Sequence, residues 1–434
     1  MAGDTIKIPK GYVQARRLVE DGSRVVFVSG NAGTGKTTLI RYLQEHITLK
    51  HVVLAPTGVA ALNAGGATIH SFFRFPPRIQ DLGSIRIPDD RRLYQRLDLI
   101  IIDEASMLRA DMLDSIDTFL RACNESHEPF GGVRLLLIGD MFQLPPVVTR
   151  AEGEVLDARG YDSPYFFSAH CLRDLDLAHI ELDEIFRQTD PEFVSLLNRI
   201  RVAQDTHAVI ERLNAWCGQP RDDYDITLTC TNAAADAINA ERLSLLDGEE
   251  RIFLGEPAGH FGLDGDRLPS PQELHLRVGA RVMFTKNDEE RRWVNGTLGT
   301  VTWLSGGRIE VDVDGAGIHE IPKATWQSFK YRFDRKNDRI VADEVGSYTQ
   351  YPLMLAWAVT IHKSQGKTLD RVLVDFGSGA FASGQAYVAL SRCRSLDGLR
   401  LARPLRATDV RCDRRISGFH SLLRRGSEPG GADD

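Results

Sequence analysis

Little in this 434-residue chain supports a metal-held or disulfide-stapled scaffold. The six cysteines, Cys123, Cys171, Cys217, Cys230, Cys393 and Cys412, include no CxxC pair, so reduced thiols are expected. Twelve histidines show neither HxxxH nor HExxH spacing, and no structural zinc is expected. Long hydrophobic runs are missing as well. The longest near-apolar stretch, residues 353–361, is interrupted by Thr360 and falls far short of the ~20 residues of a membrane helix. The opening MAGDTIKIPK has no apolar core of the kind a signal peptide needs, so a soluble, cytoplasmic protein without a membrane partner is expected. Basic charge is not in excess either. Fifty-three Lys+Arg against 60 Asp+Glu give a net charge of −7, which argues against a histone-like polycation. A local basic channel on an acidic body stays open, because residues 391–434 alone carry ten basic and six acidic side chains.

What is present is α/β alternation. Short apolar runs at 25–29, 52–55, 99–102 and 135–138 end in small, polar or acidic residues, as strands of a covered parallel sheet do. A helical stretch at 112–123 lies between two of them. A second α/β unit begins near Leu182, with a strand at 226–230 and a helix at 233–246. From about 276 to 345 the pattern becomes apolar/polar alternation, with turn signals at Asn295-Gly296 and Gly306-Gly307. This predicts a small antiparallel barrel. The α/β pattern resumes at Pro352 with a helix-like run, and a strand is expected at 371–375. The barrel therefore interrupts the second unit. The Gly- and Asp-rich tail 426–434 is expected to be disordered.

GNAGTGKT (30–37) fits G-x-x-x-x-G-K-[ST] between a strand and a helix. Glycines let backbone N–H groups curl around phosphate oxygens, and the helix N-terminus adds positive potential. The phosphate-cradling set is Gly30, Ala32, Gly33, Thr34, Gly35, Lys36, Thr37 and Thr38. Lys36 should reach the β/γ-phosphates and Thr37 should ligate Mg²⁺. The run LIIIDE (99–104) delivers Asp103 for Mg²⁺ and Glu104 to polarise the attacking water. In LIGDMFQLPP (137–146), Gln143 can contact the γ-phosphate, and the Pro-Pro turn stiffens the segment leading away. Arg187 and Arg392 would each read alone as a surface ion pair. Beside a phosphate loop they suit arginine fingers supplied by a facing lobe. ATP and Mg²⁺ are the implied ligands, in a cleft that closes and opens with hydrolysis.

Six segments stand in the order of a superfamily 1 helicase: GNAGTGKTT, APTGVAA with TIHSFF, IIIDEASM, IGDMFQLPPV, AVTIHKSQGKTLD and YVALSRCRSLDGL. With EPFGGVRLLLIGD and WVNGTLGTV they resemble a bacterial member of the petite integration frequency (Pif) DNA helicases, over roughly residues 10–420. The resemblance implies two RecA-like P-loop domains with a small SH3-like β-barrel inserted in the second. The first domain would span 1–180, with a wedge near 76–97. The second would span 181–275 and 346–425, and the barrel 276–345. It implies a monomeric ATP-dependent motor moving 5′ to 3′ on single-stranded DNA and opening single-strand/duplex junctions. Gln14 stands about where the family has an adenine-reading glutamine, although GYVQARRL departs from its surroundings. Gln365 and Gly366 would lie near ATP. DEAS replaces the commoner DEIS, a packing change.

Translocation needs phosphate contacts and base stacking. First-lobe candidates are Thr57, Gly58, His70, Ser71 and Phe72, the last for stacking. Second-lobe candidates are Asn232, Thr360, His362, Lys363 and Ser364, and the barrel offers Lys286, Asn287, Arg291, Arg292 and Trp293. Two other readings stay open. One is a RecD-like helicase, although TLD after HKSQG and CRSLDG favour the Pif type. The other is a nucleotide-gated single-stranded nucleic-acid-binding ATPase without unwinding, with RNA as a possible ligand because no residue here reads the 2′-OH.

Overall fold

Short strands apolar on both faces must be covered on both sides, and the chain folds accordingly. In the computed structural model, which describes residues 8–427 apart from 77, 189, 218–223 and 335, a six-stranded parallel sheet forms the first lobe. Its spatial order is Ala67–Thr68, His51–Ala55, Leu99–Ile102, Arg134–Gly139, Val25–Gly30 and Leu177–Leu182. Three adjacent strands thus present Asp103, Asp140 and the phosphate loop at neighbouring carboxyl ends, where ligands bind in α/β sheets. The helix Ala110–Asn124 buries Leu113, Ile116 and Leu120 against this sheet, matching the stretch expected at 112–123.

A second parallel sheet, ordered Ala358–Thr360, Ile226–Thr229, Val372–Asp375 and Leu399–Leu401, builds the second lobe. The helix-like run expected after Pro352 is a correction. Leu353–Leu355 pairs antiparallel with Arg281–Phe284, and Ala358–Thr360 pairs parallel with Ile226–Thr229. A short apolar run buried on all sides has no periodicity to separate strand from helix.

The antiparallel region is wider than the stretch 276–345. Gly317–Glu320, Arg308–Val313, Leu298–Ser305, Arg281–Phe284 and Leu353–Leu355 form a five-stranded sheet over Val282, Phe284, Val301, Ile309 and Val311. Gly306-Gly307 makes the two-residue turn between two of these strands. Glu273–Leu276 pairs with Arg251–Leu254. Ala324–Asp334 and Arg339–Gln350 form a long hairpin, paired further with Glu256–Gly259.

Two long-range contacts tie this architecture together. The hairpin reaches the first lobe: Tyr331 meets Phe72 edge-on at 5.7 Å, and Lys50 Nζ pairs with Asp338 at 2.7 Å. The last helix, Arg414–Ser427, also docks on the first lobe, through Ile416, Leu423 and a stack of Phe419 on Phe167 at 4.3 Å. Residues 426–427 therefore end a helix rather than open a disordered tail, and 428–434 lie outside the described residues. No described helix is long and apolar enough to cross a membrane.

Candidate nucleotide and nucleic-acid sites

A cleft of about 320 Å³ opens between the two parallel sheets. It is lined by 32–38 of the phosphate loop, by Asp103, Glu104 and Gln143, and by Phe186, Arg187, Gly366, Thr368 and Arg392. Most of the expected hydrolysis set therefore converges. Gly30 contributes a carbonyl instead: Lys36 Nζ donates to Gly30 O at 2.8 Å and to Asn31 O at 2.9 Å. Burial lowers the Lys36 pKa, while the carboxylates of Asp140, Glu104 and Asp103 pull it back up. Gly33 has φ +84°, and a Cβ there would sit 2.5 Å from Arg187 Cβ, so only glycine lets the Arg187 segment approach the loop.

Burial raises the carboxyl pKa of Asp103 and of Glu104, and Asp103 adds repulsion at Glu104. The Glu104 backbone N–H donates to Asp103 Oδ1 at 2.8 Å. Across the cleft, Gln365 Nε2 donates to Glu104 Oε2 at 3.1 Å and to Gln143 Oε1 at 3.3 Å. Arg187 is fixed by Thr368 Oγ1 at 2.9 Å and the carbonyls of Gly366 and Ser391. Arg392 is 1% exposed and donates to Val388 O and Ser391 Oγ, both at 2.9 Å. Burial lowers its pKa to about 9, with Arg187 nearby adding repulsion. Among the described residues neither arginine has a carboxylate within ion-pair distance. Two guanidiniums without a directly paired carboxylate beside a phosphate loop suit a polyanion.

Gln14 is not brought to this cleft. It is exposed on the helix Lys10–Glu20, and the residue of that helix that touches the loop is Tyr12, whose hydroxyl donates to Gly35 O at 2.6 Å.

The nucleic-acid candidates scatter. Phe72 is 6% exposed, packed edge-on against Phe73 and Tyr94, so it is a core residue and not a stacking platform. Ser364 is fully buried and donates to Ile361 O, and buried Thr360 accepts the Lys363 N–H through its hydroxyl. Both shape the turn instead of facing solvent. Thr57 caps the helix Gly58–Asn63 by accepting the Ala60 N–H, and Leu263 packs directly over Gly58. Ser71 and Asn232 are exposed, while His70, His362 and Lys363 are half-buried. In the antiparallel region Trp293 is buried on Phe284, and Arg292 is paired with Asp288. Lys286 donates to Thr325 O and lies over Trp326.

Residues 12–203 match the model of the PIF1-like helicase family. The chain is 35% identical to the ATP-dependent DNA helicase PIF1 of Rattus norvegicus, over 97% of this chain and 65% of that protein. It therefore spans just under two thirds of that relative. It is 33% identical to the ATP-dependent DNA helicase Pif1 of Bdellovibrio bacteriovorus, over 91% of this chain and 88% of the relative. The chain belongs to the PIF1-like helicase family. Its fold superposes on Bacteroides sp Pif1 in complex with ADP-AlF4 with a TM-score of 0.88, at 37% identity over 96% of this chain and 97% of the other. Against Bacteroides Pif1 bound to ssDNA, at the same identity and over 96% and 97% of the two chains, the TM-score is 0.69.

The PIF1-like cleft contains residues that the motif reading passed over. Phe186, 55% exposed, lies between the phosphate loop and open cleft, and its N–H donates to Gly33 O at 2.9 Å. An aromatic next to Arg187 in EIFRQ was the available signal. Tyr387 accepts the Ala32 N–H through its hydroxyl at 3.0 Å, a contact across the lobes. Arg201 falls on the apolar face of its helix, four residues after Leu197, and a charge on that face signals a buried partner.

Proposed function

We propose that this PIF1-like chain is an ATP-dependent DNA helicase that translocates 5′ to 3′ on single-stranded DNA and opens junctions. One observation carries the reading: a phosphate loop, a raised-pKa carboxyl and two arginines without a directly paired carboxylate converge in one cleft, and the two sides belong to different sheets. Hydrolysis at such a seam changes what holds the lobes together. Glu104 orients the attacking water, Lys36 holds the β/γ-phosphates, and Arg187 and Arg392 stabilise charge on the transferring group. Gln143 and Gln365 report phosphate occupancy across the seam. The hydroxyl of Thr37 and the carboxylate of Asp103 are hard oxygen donors that fit Mg²⁺, which would neutralise phosphate charge there.

The two parallel sheets are read as RecA-like domains, the second interrupted by an accessory unit whose strands run from 251 to 355. The compact five-stranded sheet supports the small SH3-like barrel expected in it. Single-stranded DNA would pass Ser71 and the exposed edge of the Thr57 turn, then Asn232, His362 and Lys363. Leu263 must leave Gly58 for that path to be continuous. Relatives named as DNA helicases, and one solved with ssDNA, support this reading over the nucleotide-gated binding alternative.

The test is ATP turnover with and without single-stranded DNA, followed by unwinding of duplexes carrying a 5′ or a 3′ tail. DNA-stimulated turnover and unwinding from the 5′ tail are expected. Unwinding only from the 3′ tail would reverse the polarity, and turnover indifferent to DNA would remove the motor reading.

A further inference from the structure

One buried charge pair beside the cleft lies outside the hydrolysis set. Arg201 donates from Nε and Nη2 to Asp140 Oδ1 at 3.1 and 2.9 Å, with side-chain exposures of 6% and 0%. The two residues come from different lobes. Asp140 follows the central strand Arg134–Gly139. Arg201 ends the helix Pro191–Arg201, whose Phe193, Leu196, Leu197 and Ile200 sit in the second-lobe core.

The pair grips the phosphate-facing glutamine. Asp140 Oδ2 accepts Gln143 Nε2 at 3.3 Å, and the guanidinium covers the Phe142 ring at 4.2 Å. His420, from the last helix, meets the same ring edge-on at 5.4 Å. Gly384, at the start of the second-lobe helix Gln385–Leu390, lies where a Cβ would come within 2.3 Å of Phe142 O and 2.4 Å of Gln143 O, so no side chain keeps that helix off the segment. The segment 140–143 is thus clasped by Arg201 and the start of the helix Gln385–Leu390 from the second lobe, and by His420 of the last helix.

Asp140 is also an anion beside a site for phosphates, and it acts on Lys36 more strongly than Glu104 or Asp103 does. Left bare, it would repel the nucleotide and hold the lysine. We propose that Arg201 is a positioning residue for ATP hydrolysis: it neutralises Asp140, through it fixes Gln143, and so passes the phosphate state to the helix Pro191–Arg201. The proposal rests on the ATPase reading of the cleft. Arginine suits the task because two of its fork nitrogens reach one carboxylate oxygen, whereas lysine offers a single point charge.

The test uses the full chain, with kcat and KM for ATP measured in the presence of oligothymidylate, and with thermal melting. Removing the outer support of a site group typically costs about 10- to 100-fold, so Arg201→Met should lower DNA-stimulated kcat by that factor. KM should stay within about threefold, Arg201→Lys should stay within about fivefold of the parent, and Arg201→Met with Asp140→Asn should regain about fivefold, because a neutral amide needs no counter-charge. Should Arg201→Met fail to fold, the near-isosteric Asp140→Asn takes its place, with a fall in kcat of about fivefold or more at unchanged KM expected. A folded Arg201→Met or Asp140→Asn with parental kcat would overturn the proposal. So would equal losses in the Met and Lys variants that track their melting temperatures. A parent chain without turnover would overturn the ATPase reading and this proposal together, whereas an active parent beside an unchanged Arg201→Met overturns only the role of the pair.

Discussion

The candidate nucleotide cleft and the candidate nucleic-acid surface use buried side chains in opposite ways. In the cleft, burial serves chemistry: Lys36, Glu104 and Arg392 are withdrawn from water yet aimed at one volume. On the nucleic-acid side, burial takes residues out of play. Phe72, Thr360 and Ser364 are more fully buried than Lys36 and Glu104, and their contacts are internal. The difference follows from the ligands. A triphosphate has fixed geometry, so the residue types and spacings that hold it are few. A DNA backbone accepts any hydroxyl, amide or cation at the right place, so no motif is required.

The sharpest way to break that contrast is at Lys36. Lys36→Ala should reduce DNA-stimulated ATP turnover by at least about a thousandfold, because no other cation faces the β/γ-phosphates from the loop. Retained turnover in a coupled phosphate-release assay would show that the convergence is not catalytic. Glu104→Gln should lower kcat by about 10²- to 10⁴-fold while leaving ATP binding intact. Lost binding of a fluorescent nucleotide would mean that Glu104 holds the ligand instead of activating water.

On the other side, Phe72→Ala should act on folding. A buried aromatic cut to alanine costs about 3–5 kcal/mol, visible as a lower melting temperature. The affinity of the remaining folded protein for single-stranded DNA should be unchanged. If affinity falls while melting holds, Phe72 is a stacking residue after all.

The alternation of strand and helix, the phosphate loop and the convergence of Asp103, Glu104, Gln143, Arg187 and Arg392 on one cleft were legible because local pattern and local chemistry coincide there. Other features depended on distant partners. In TIHSFF the helix Ile69–Phe73 is five residues long, too short for periodicity to say which ring faces the core. The hairpin Ala324–Gln350 shows strand alternation in sequence, but its docking on Phe72 and Lys50 depends on residues more than 250 positions away, 288 for the Lys50–Asp338 pair. The last helix could be read as helix, but nothing in RRISGFHSLLRR names the first lobe as its seat. Arg201 reads as one more arginine until Asp140 is placed against it.

Lys363 tests what remains of the nucleic-acid surface. It is half-buried on the turn that follows Thr360, and among the described residues no carboxylate pairs with it. A phosphate would complete that cation. Lys363→Ala should weaken single-stranded DNA binding by about three- to tenfold at low salt and reduce the salt slope by about one ion. An unchanged slope would place the strand elsewhere on the second lobe. The full slope of the parent should also be modest for a protein of net charge −7, and one implying ten or more displaced ions would contradict a narrow channel.

The smallest effect is expected at Gln14, and it separates resemblance from geometry. The resemblance makes this residue an adenine reader. In the structure its side chain is exposed, while Tyr12, on the same helix, donates its hydroxyl to Gly35 O at 2.6 Å. Gln14→Ala should therefore change KM for ATP by less than about twofold. Tyr12→Phe loses one hydrogen bond to the loop, about 0.5–1.5 kcal/mol, and should raise KM by a few-fold. The comparison is best read as discrimination between ATP and GTP, since only an adenine reader alters that ratio. If Gln14→Ala erased the preference while Tyr12→Phe left it intact, the helix Lys10–Glu20 would have to turn toward the base when nucleotide binds, and the cleft would be less preformed than its phosphate half.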